Sequence, residues 1–349
     1  MVHISDQSIH ILSNLVHQSH TSAKLRMYPY QQKDPCNGKI VNAHTIQRSC
    51  LEKIAHDNHV LTFDTTILDI HRKSQKRTPK IIGLKKATTF TGFCGKHDRE
   101  IFKPLETEPF VFSKQQIFLL YYRALTFGLY KKQRQLKEMP EALKSPKLNA
   151  SLEQKAALHQ QAEIFKYTAS LALQDFKPDL DQSNKILVEK NYSKINYIAY
   201  KFDSIPQVLC SGLWTPEIDF RNRRLQFLHN DPPLPTQTLS IIPTTNGGGA
   251  AVLAWLCDSN KVNSRFGKSI NTIKQDRIPD LLNQYAFSCF ENTYFSSLWW
   301  ESLTPSQQQK VSDWSLANTP KSKTEMNEVI LKDEGLSLAK WRVVDTYNS

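Results

Sequence analysis

No apolar run in this chain approaches the roughly 20 residues that a membrane span needs. The stretch from Met1 to His20 mixes His, Asp, Gln and Ser with its apolar residues. It lacks the charged start and continuous apolar core of a secretory signal, so the chain is expected in the cytoplasm and away from membranes. There is no internal repeat. Asn246-Gly247-Gly248-Gly249 is followed by neither Gly-Lys-Ser/Thr nor Rossmann spacing, so it reads as a hairpin turn and not as a phosphate cradle. There is no Gly-x-Ser-x-Gly elbow, and no cysteine sits in a catalytic signature. The six cysteines, at 36, 50, 94, 210, 257 and 289, are widely scattered. That usage in a cytoplasmic chain argues against a disulfide framework and leaves metal binding or simple burial. Cys50, Cys210, Cys257 and Cys289 stand among apolar or small residues and are expected to be buried as small hydrophobes.

What is present is a large positive charge on an ordinary globular composition. The chain has 349 residues, 40% of them hydrophobic and 10% aromatic, and a net charge of +12. That length supports two domains, each with its own core, and the excess of Lys and Arg favours a polyanionic partner, most commonly nucleic acid. The charge is clustered in a loop between His71 and Lys86. Arg72, Lys73, Lys76, Arg77, Lys80, Lys85 and Lys86 are the expected nucleic-acid contacts. A smaller cluster, Arg221-Asn222-Arg223-Arg224, suits a solvated turn or a phosphate contact equally.

Periodicity outlines the elements. Asp6 to Ala23 has helical spacing and is closed by Tyr28-Pro29-Tyr30. Asn37-Gly38 signals a hairpin turn before a short strand at Lys39-Ile40-Val41. Ser49 to His56 reads as a short helix capped by Ser49 with Glu52 three residues on. Strands are expected at Val60–Phe63 and Lys80–Leu84, and a helix begins near His97. Ser113–Lys132 is the clearest helix. Charge and two prolines, Pro140 and Pro146, separate it from a second helix at Ser151–Asp175, as a linker or a hairpin tip. Beyond a boundary placed at Asp179–Asn184, strands are expected at 196–202, 207–210, 225–228, 238–242 and 251–256. Helix returns over Ile278–Leu303, where Phe290, Tyr294, Phe295, Trp299 and Trp300 crowd together.

Two Cys/His pairs flank the basic loop. Cys94 and His97 stand three apart at a helix start, where both can face one ion while the helix dipole favours a thiolate. Cys36 and His44 can be brought together by a hairpin. Zinc prefers thiolate and imidazole in a tetrahedron, and Cys36, His44, Cys94 and His97 would supply a neutral Cys2His2 site. The plain alternative is four unrelated residues, with Cys94 merely buried. Asp98 and Glu100 could hold a catalytic Mg²⁺ or Mn²⁺ through oxygen, or simply complement the dipole of a first helical turn.

The stretch from Cys36 to Phe102 resembles the treble-clef zinc fold and, within it, the HNH (ββα-metal) endonucleases. Ala43-His44-Thr45-Ile46-Gln47 resembles the box that carries the catalytic His. Cys94-Gly95-Lys96-His97-Asp98 resembles the box at the helix start, with His97 at the second Cys position and Asp98 at that of the metal-binding His. The phrases His44 to Arg48, Thr91 to Cys94 and Phe102 to Glu106 also look like uncharacterised bacterial proteins, some suspected of acting in phage defence. Two departures stand out: Ala43 replaces a metal-binding residue, and the first Cys pair is reduced to Cys36. The resemblance implies two roles for His44, zinc ligand or general base, which exclude each other because a coordinated imidazole has no free lone pair. If His44 is the base, the fourth zinc ligand would come from elsewhere, with His56, His59 and His71 available.

The expected architecture is α+β: a zinc-binding, treble-clef-like module over 1–110, a helical segment over 111–180, and a C-terminal α/β domain with a largely antiparallel sheet over 181–349. The expected function is nucleic-acid binding with structural Zn²⁺ and, in its enzymatic form, HNH-like phosphodiester cleavage with His44 as base and Asp98 on a divalent ion. The alternative is a non-catalytic, zinc-stapled subunit that binds a protein partner in a larger complex.

Overall fold

The computed structural model describes residues 38–63, 78–145, 147–148, 150–228, 233–317, 329 and 331–349. The expected N-terminal helix and most of the basic loop lie outside them. The described N-terminal part opens with β1 (Ala43–His44), α1 (Arg48–Glu52), β2 (His59–Thr62), β3 (Lys80–Gly83), β4 (Thr89–Phe90) and α2 (Gly95–Glu106). Two long helices follow, α3 (Lys114–Leu143) and α4 (Leu152–Glu189). Then come β5 (Ile195–Phe202), β6 (Val208–Trp214), β7 (Gln237–Pro243), β8 (Gly249–Leu256), α5 (Asn260–Ile270) and α6 (Ile278–Cys289). β9 (Thr293–Phe295), α7 (Ser297–Glu301), α8 (Pro305–Trp314) and β10 (Val343–Asn348) close the chain.

The fold is mixed α+β around one antiparallel sheet of eight strands, in the order β10-β5-β8-β7-β6-β9-β2-β3. Both of its faces are covered, which explains the apolar run of β8, buried at every position. Side chains alternate across a pleated strand. Ala250, Val252, Ala254 and Leu256 therefore join Tyr197 and Ala199 beneath α3, while Ala251, Leu253 and Trp255 join Ile198, Tyr200 and Phe202 beneath α5 and α6. The Asn246–Gly249 turn does close the β7–β8 hairpin, with Gly247 at φ 78° and the Thr244 N–H donating to the Gly248 carbonyl.

Several expectations need correction. Helix α4 runs straight through the boundary placed at 179–184, because Phe176, Ser183 and Ile186 are buried on one side of a continuous helix. Nor do the described residues of the expected 1–110 module stand apart from the sheet: β2 pairs with β9, Leu61 opposite Phe295, and so carries β3 into it. Pro140 does not end α3, which continues to Leu143. The one hydrogen bond that proline removes is outweighed by packing of Ala142 and Leu143 against Leu158 and Ala162 at the hairpin tip. The expected strand at 225–228 is replaced by a single Ile218–Arg224 bridge. The expected helix from Ile278 to Leu303 is broken by β9, and α5 was not expected. Among the described residues, no helix is long and apolar enough to cross a membrane.

Candidate functional site

The segment around β1, β4 and α2 is a small ββα unit. Ala43 pairs with Phe90 and His44 with Thr89 in a two-stranded antiparallel sheet, and α2 follows four residues after β4. Ahead of β1, the Val41 N–H donates to the Phe93 carbonyl at 2.9 Å and Ile40 bridges to Cys94. The expected strand at 39–41 thus survives as one bridge. Helix α1 begins at Arg48 with Gln47 at its N-cap and no side-chain cap, so Ser49 does not cap it. The unit is held by aromatic packing on α3, with Phe93 and Phe102 5.4 Å apart edge to face and Phe90 and Phe127 likewise.

Cys94 and His97 come together as expected. Cys94 is the N-cap of α2, and its Sγ accepts the His97 N–H at 3.5 Å. Its Sγ also lies 3.3 Å from His97 Nδ1, with both residues almost fully buried. Tetrahedral zinc with bonds of about 2.3 Å to sulfur and about 2.0 Å to nitrogen would set these two atoms about 3.5 Å apart. The pair therefore fits half of a zinc site. Cys36 lies outside the described residues. Gly38, two residues later, is seated directly on Cys94: a Cβ there would stand 3.0 Å from both its Cβ and its Sγ. The chain beside Cys36 thus approaches the pair as close as a side-chain-free residue can.

His44 does not join that pair. Its Nε2 lies 3.3 Å from the Leu84 carbonyl oxygen, and among the described residues no group of three His, Cys, Asp or Glu side chains is placed to hold a metal ion. His56 and His59 are exposed on the turn into β2, and His71 lies outside the described residues. A carbonyl accepts only from an N–H, so the Leu84 contact places the proton on Nε2 and leaves Nδ1 with the lone pair. Burial lowers the imidazole pKa below its ordinary value. The Leu84 bond opposes this, the Arg123 and Arg48 charges reinforce it, and Glu106 opposes. The shift favours the neutral ring.

Asp98 lies in the first turn of α2 with one carboxyl oxygen, Oδ1, buried and without a hydrogen-bond partner. Burial raises its pKa, Arg123 lowers it and Glu106 raises it. Arg123 and Glu106 thus act on both His44 and Asp98. Arg123 is 2% exposed, donates from Nη2 to Glu106 Oε1 at 2.7 Å, and rests 3.9 Å above the Phe102 ring, while its Nε has no partner. Sequence reasoning missed both residues. The signal for Arg123 was there: it is the lone charge inside the apolar stretch Ile117–Leu129.

Of the basic residues, Arg72, Lys73, Lys76 and Arg77 lie outside the described residues. Lys80 is exposed on β3, an edge strand, and Lys85 and Lys86 are exposed in the turn after it. That turn begins at Leu84, whose carbonyl meets His44. Lys85 and Lys86 thus follow in the chain directly on the residue whose carbonyl meets His44. Compared with known protein families, curated proteins and solved structures, the chain matches none.

Proposed function

We propose that the chain binds nucleic acid and cleaves phosphodiester bonds through its ββα unit, with Cys36, Cys94 and His97 contributing to a structural zinc. The observation that carries this reading is the placement of His44: half-buried at the end of β1, its neutral form favoured, its Nδ1 available and its Nε2 occupied by Leu84, the residue directly before the exposed Lys85 and Lys86. In this reading His44 takes a proton from the attacking water. Asp98 offers an unpartnered oxygen to Mg²⁺ or Mn²⁺, whose remaining positions are filled by water and substrate phosphate, as is usual for Mg²⁺. Lys80, Lys85 and Lys86 neutralise flanking phosphates, so binding should weaken steeply with salt. A cytoplasmic location and a role against phage belong to the same proposal.

A second reading, a zinc-stapled subunit for a protein partner, is favoured by one observation: among the described residues, Asp98 is not joined by the further ligands that a preformed divalent site would have. Metal content and cleavage, measured together on the wild type, His44→Ala and Cys94→Ser, separate the two. The nuclease reading expects zinc in His44→Ala at the wild-type level, its loss in Cys94→Ser, and cleavage of DNA or RNA with Mg²⁺ or Mn²⁺ that falls at least about a hundredfold in His44→Ala. Undiminished cleavage in His44→Ala, or zinc lost with it, overturns the role given to His44.

A further inference from the structure

Between the long helices α3 and α4, where they meet the end of β6, lies a cavity of about 220 Å³. Its walls are mostly apolar, with Phe127 from α3, Phe165 and Phe176 from α4, and Leu213 and Trp214 from β6. Two lysines of α3, Lys131 and Lys132, line it, together with the carboxylates of Asp175 and Glu291.

The other charged groups around Lys132 already have partners. Its neighbour Lys131 is paired with Glu291 at 2.6 Å. Asp175, across the cavity, spends Oδ1 on the Leu234 N–H at 2.9 Å. Cys289 in the wall has its thiol pKa pushed up, burial being the largest cause, and so stays uncharged. Lys132 itself has no carboxylate partner among the described residues. Its Nζ makes one long contact, 3.4 Å, to Gln135 Oε1, and Gln135 is in turn held by the Phe165 carbonyl through Nε2. Desolvation lowers the Lys132 pKa; Glu291 opposes this and Lys131 adds to it. An ammonium held among largely apolar walls without an ion-pair partner is costly, and a ligand that enters can supply the counter-charge.

We propose that this cavity is a binding site for a small organic carboxylate with a compact apolar body, its carboxylate on Lys132 Nζ and its body against Phe127, Phe165 and Trp214. The volume holds about seven waters' worth of ligand, which fits a phenylacetate-sized acid and excludes a nucleotide. A charge-assisted bond from Lys132 would fix the orientation, and the aromatic walls would supply the affinity. The inference is independent of the role given to His44.

The test uses fluorine NMR on the full chain with three probes that share one ring: 4-fluorophenylacetate, 4-fluorotoluene and 4-fluorophenethylamine. The acid should bind saturably with a dissociation constant of about 1 mM or tighter, and the neutral and cationic probes at least about tenfold more weakly. Lys132→Met should cost the acid at least about tenfold while leaving 4-fluorotoluene unaffected. Lys132→Arg should keep acid binding, which guards against simple misfolding of the methionine variant. Ala172→Phe, which fills the cavity from α4, should abolish binding of all probes. No saturable binding of the acid, acid affinity unchanged in Lys132→Met, or preference for the amine would each overturn the proposal.

Discussion

The pair formed by Arg123 and Glu106 is unequal, and the inequality can be measured. Arg123 has a side chain 3% exposed, whereas that of Glu106 is 37% exposed. Replacing Arg123 with Met removes a charge-assisted hydrogen bond of about 1.5–3 kcal/mol and a cation–π contact on Phe102 of about 1 kcal/mol. It also removes a buried Nε that has no partner, a relief of about 1–3 kcal/mol. Glu106, free to turn to water, suffers little. The net loss should be about 1 kcal/mol. Glu106→Ala instead strands a buried guanidinium, and breaking such a pair from its exposed side should cost about 3 kcal/mol. Urea denaturation of both single variants and the double variant measures the order, and the double should lie near Arg123→Met and not near the sum. Because Arg123 lowers the pKa of both His44 and Asp98, its removal should also raise both. The acidic limb of any cleavage profile that depends on neutral His44 should then move to higher pH. If Arg123→Met proves the more destabilising single change, or the two costs simply add, the assignment of Glu106 as the partner that makes Arg123 tolerable in the core is wrong.

Two further outcomes follow from single residues. Asp175 has its pKa raised from 3.8 to about 6, burial being the main cause and the Leu234 bond opposing it. A raised acid favours folding when protonated, so its contribution is lost as pH rises from about 4 through about 6. Asp175→Asn, which keeps the acceptor for Leu234, should flatten that part of a stability profile measured by urea titration; an unchanged slope would remove Asp175 as its source. Gly212 lies against Phe290, where a Cβ would stand 2.3 Å from the ring Cδ1. Because Phe290 is itself 6% exposed and packed 4.9 Å from Tyr285, Gly212→Ala should cost about 1–3 kcal/mol by overpacking. A melting temperature within a degree of wild type would show that the ring has room to move.

The sequence reveals those parts of the fold whose signal is local. The α3 periodicity, the glycine turn of β7–β8 and the buried run of β8 all declare themselves within a dozen residues. So does Cys94-Gly95-Lys96-His97, because an N-cap and a residue three later are brought together by the helix alone. What failed was decided from a distance. β9 is three residues long within an aromatic stretch whose composition suits a helix. It is a strand because Val208 and Leu61 flank Phe295 on either side, residues that no window around it contains. Arg123 and Glu106 meet only because Gln116 ties the α2–α3 linker, donating to the Pro104 and Pro109 carbonyls and accepting the Val111 N–H. Of the Cys36–His44 pair, Cys36 lies outside the described residues, and the His44 ring meets a carbonyl forty residues on, a partner that no short spacing could indicate.

The ββα unit is likewise tied to distant parts of the chain. Thr45, directly after His44, shares its buried hydroxyl with Asn292 Nδ2 at 2.8 Å, and the same amide donates to the Ser211 carbonyl of β6 at 2.7 Å. Directly before β4, the Thr88 N–H donates to the Tyr294 hydroxyl of β9 at 3.1 Å. The position of His44 is therefore set from both sides by residues of the eight-stranded sheet, in a region where a lost buried hydrogen bond is expensive. In the proposed reading, that stitching would hold the imidazole in one tautomer and one direction. The C-terminal strands thus brace the candidate site, and β9 joins β2 of the ββα region to β6 within one sheet.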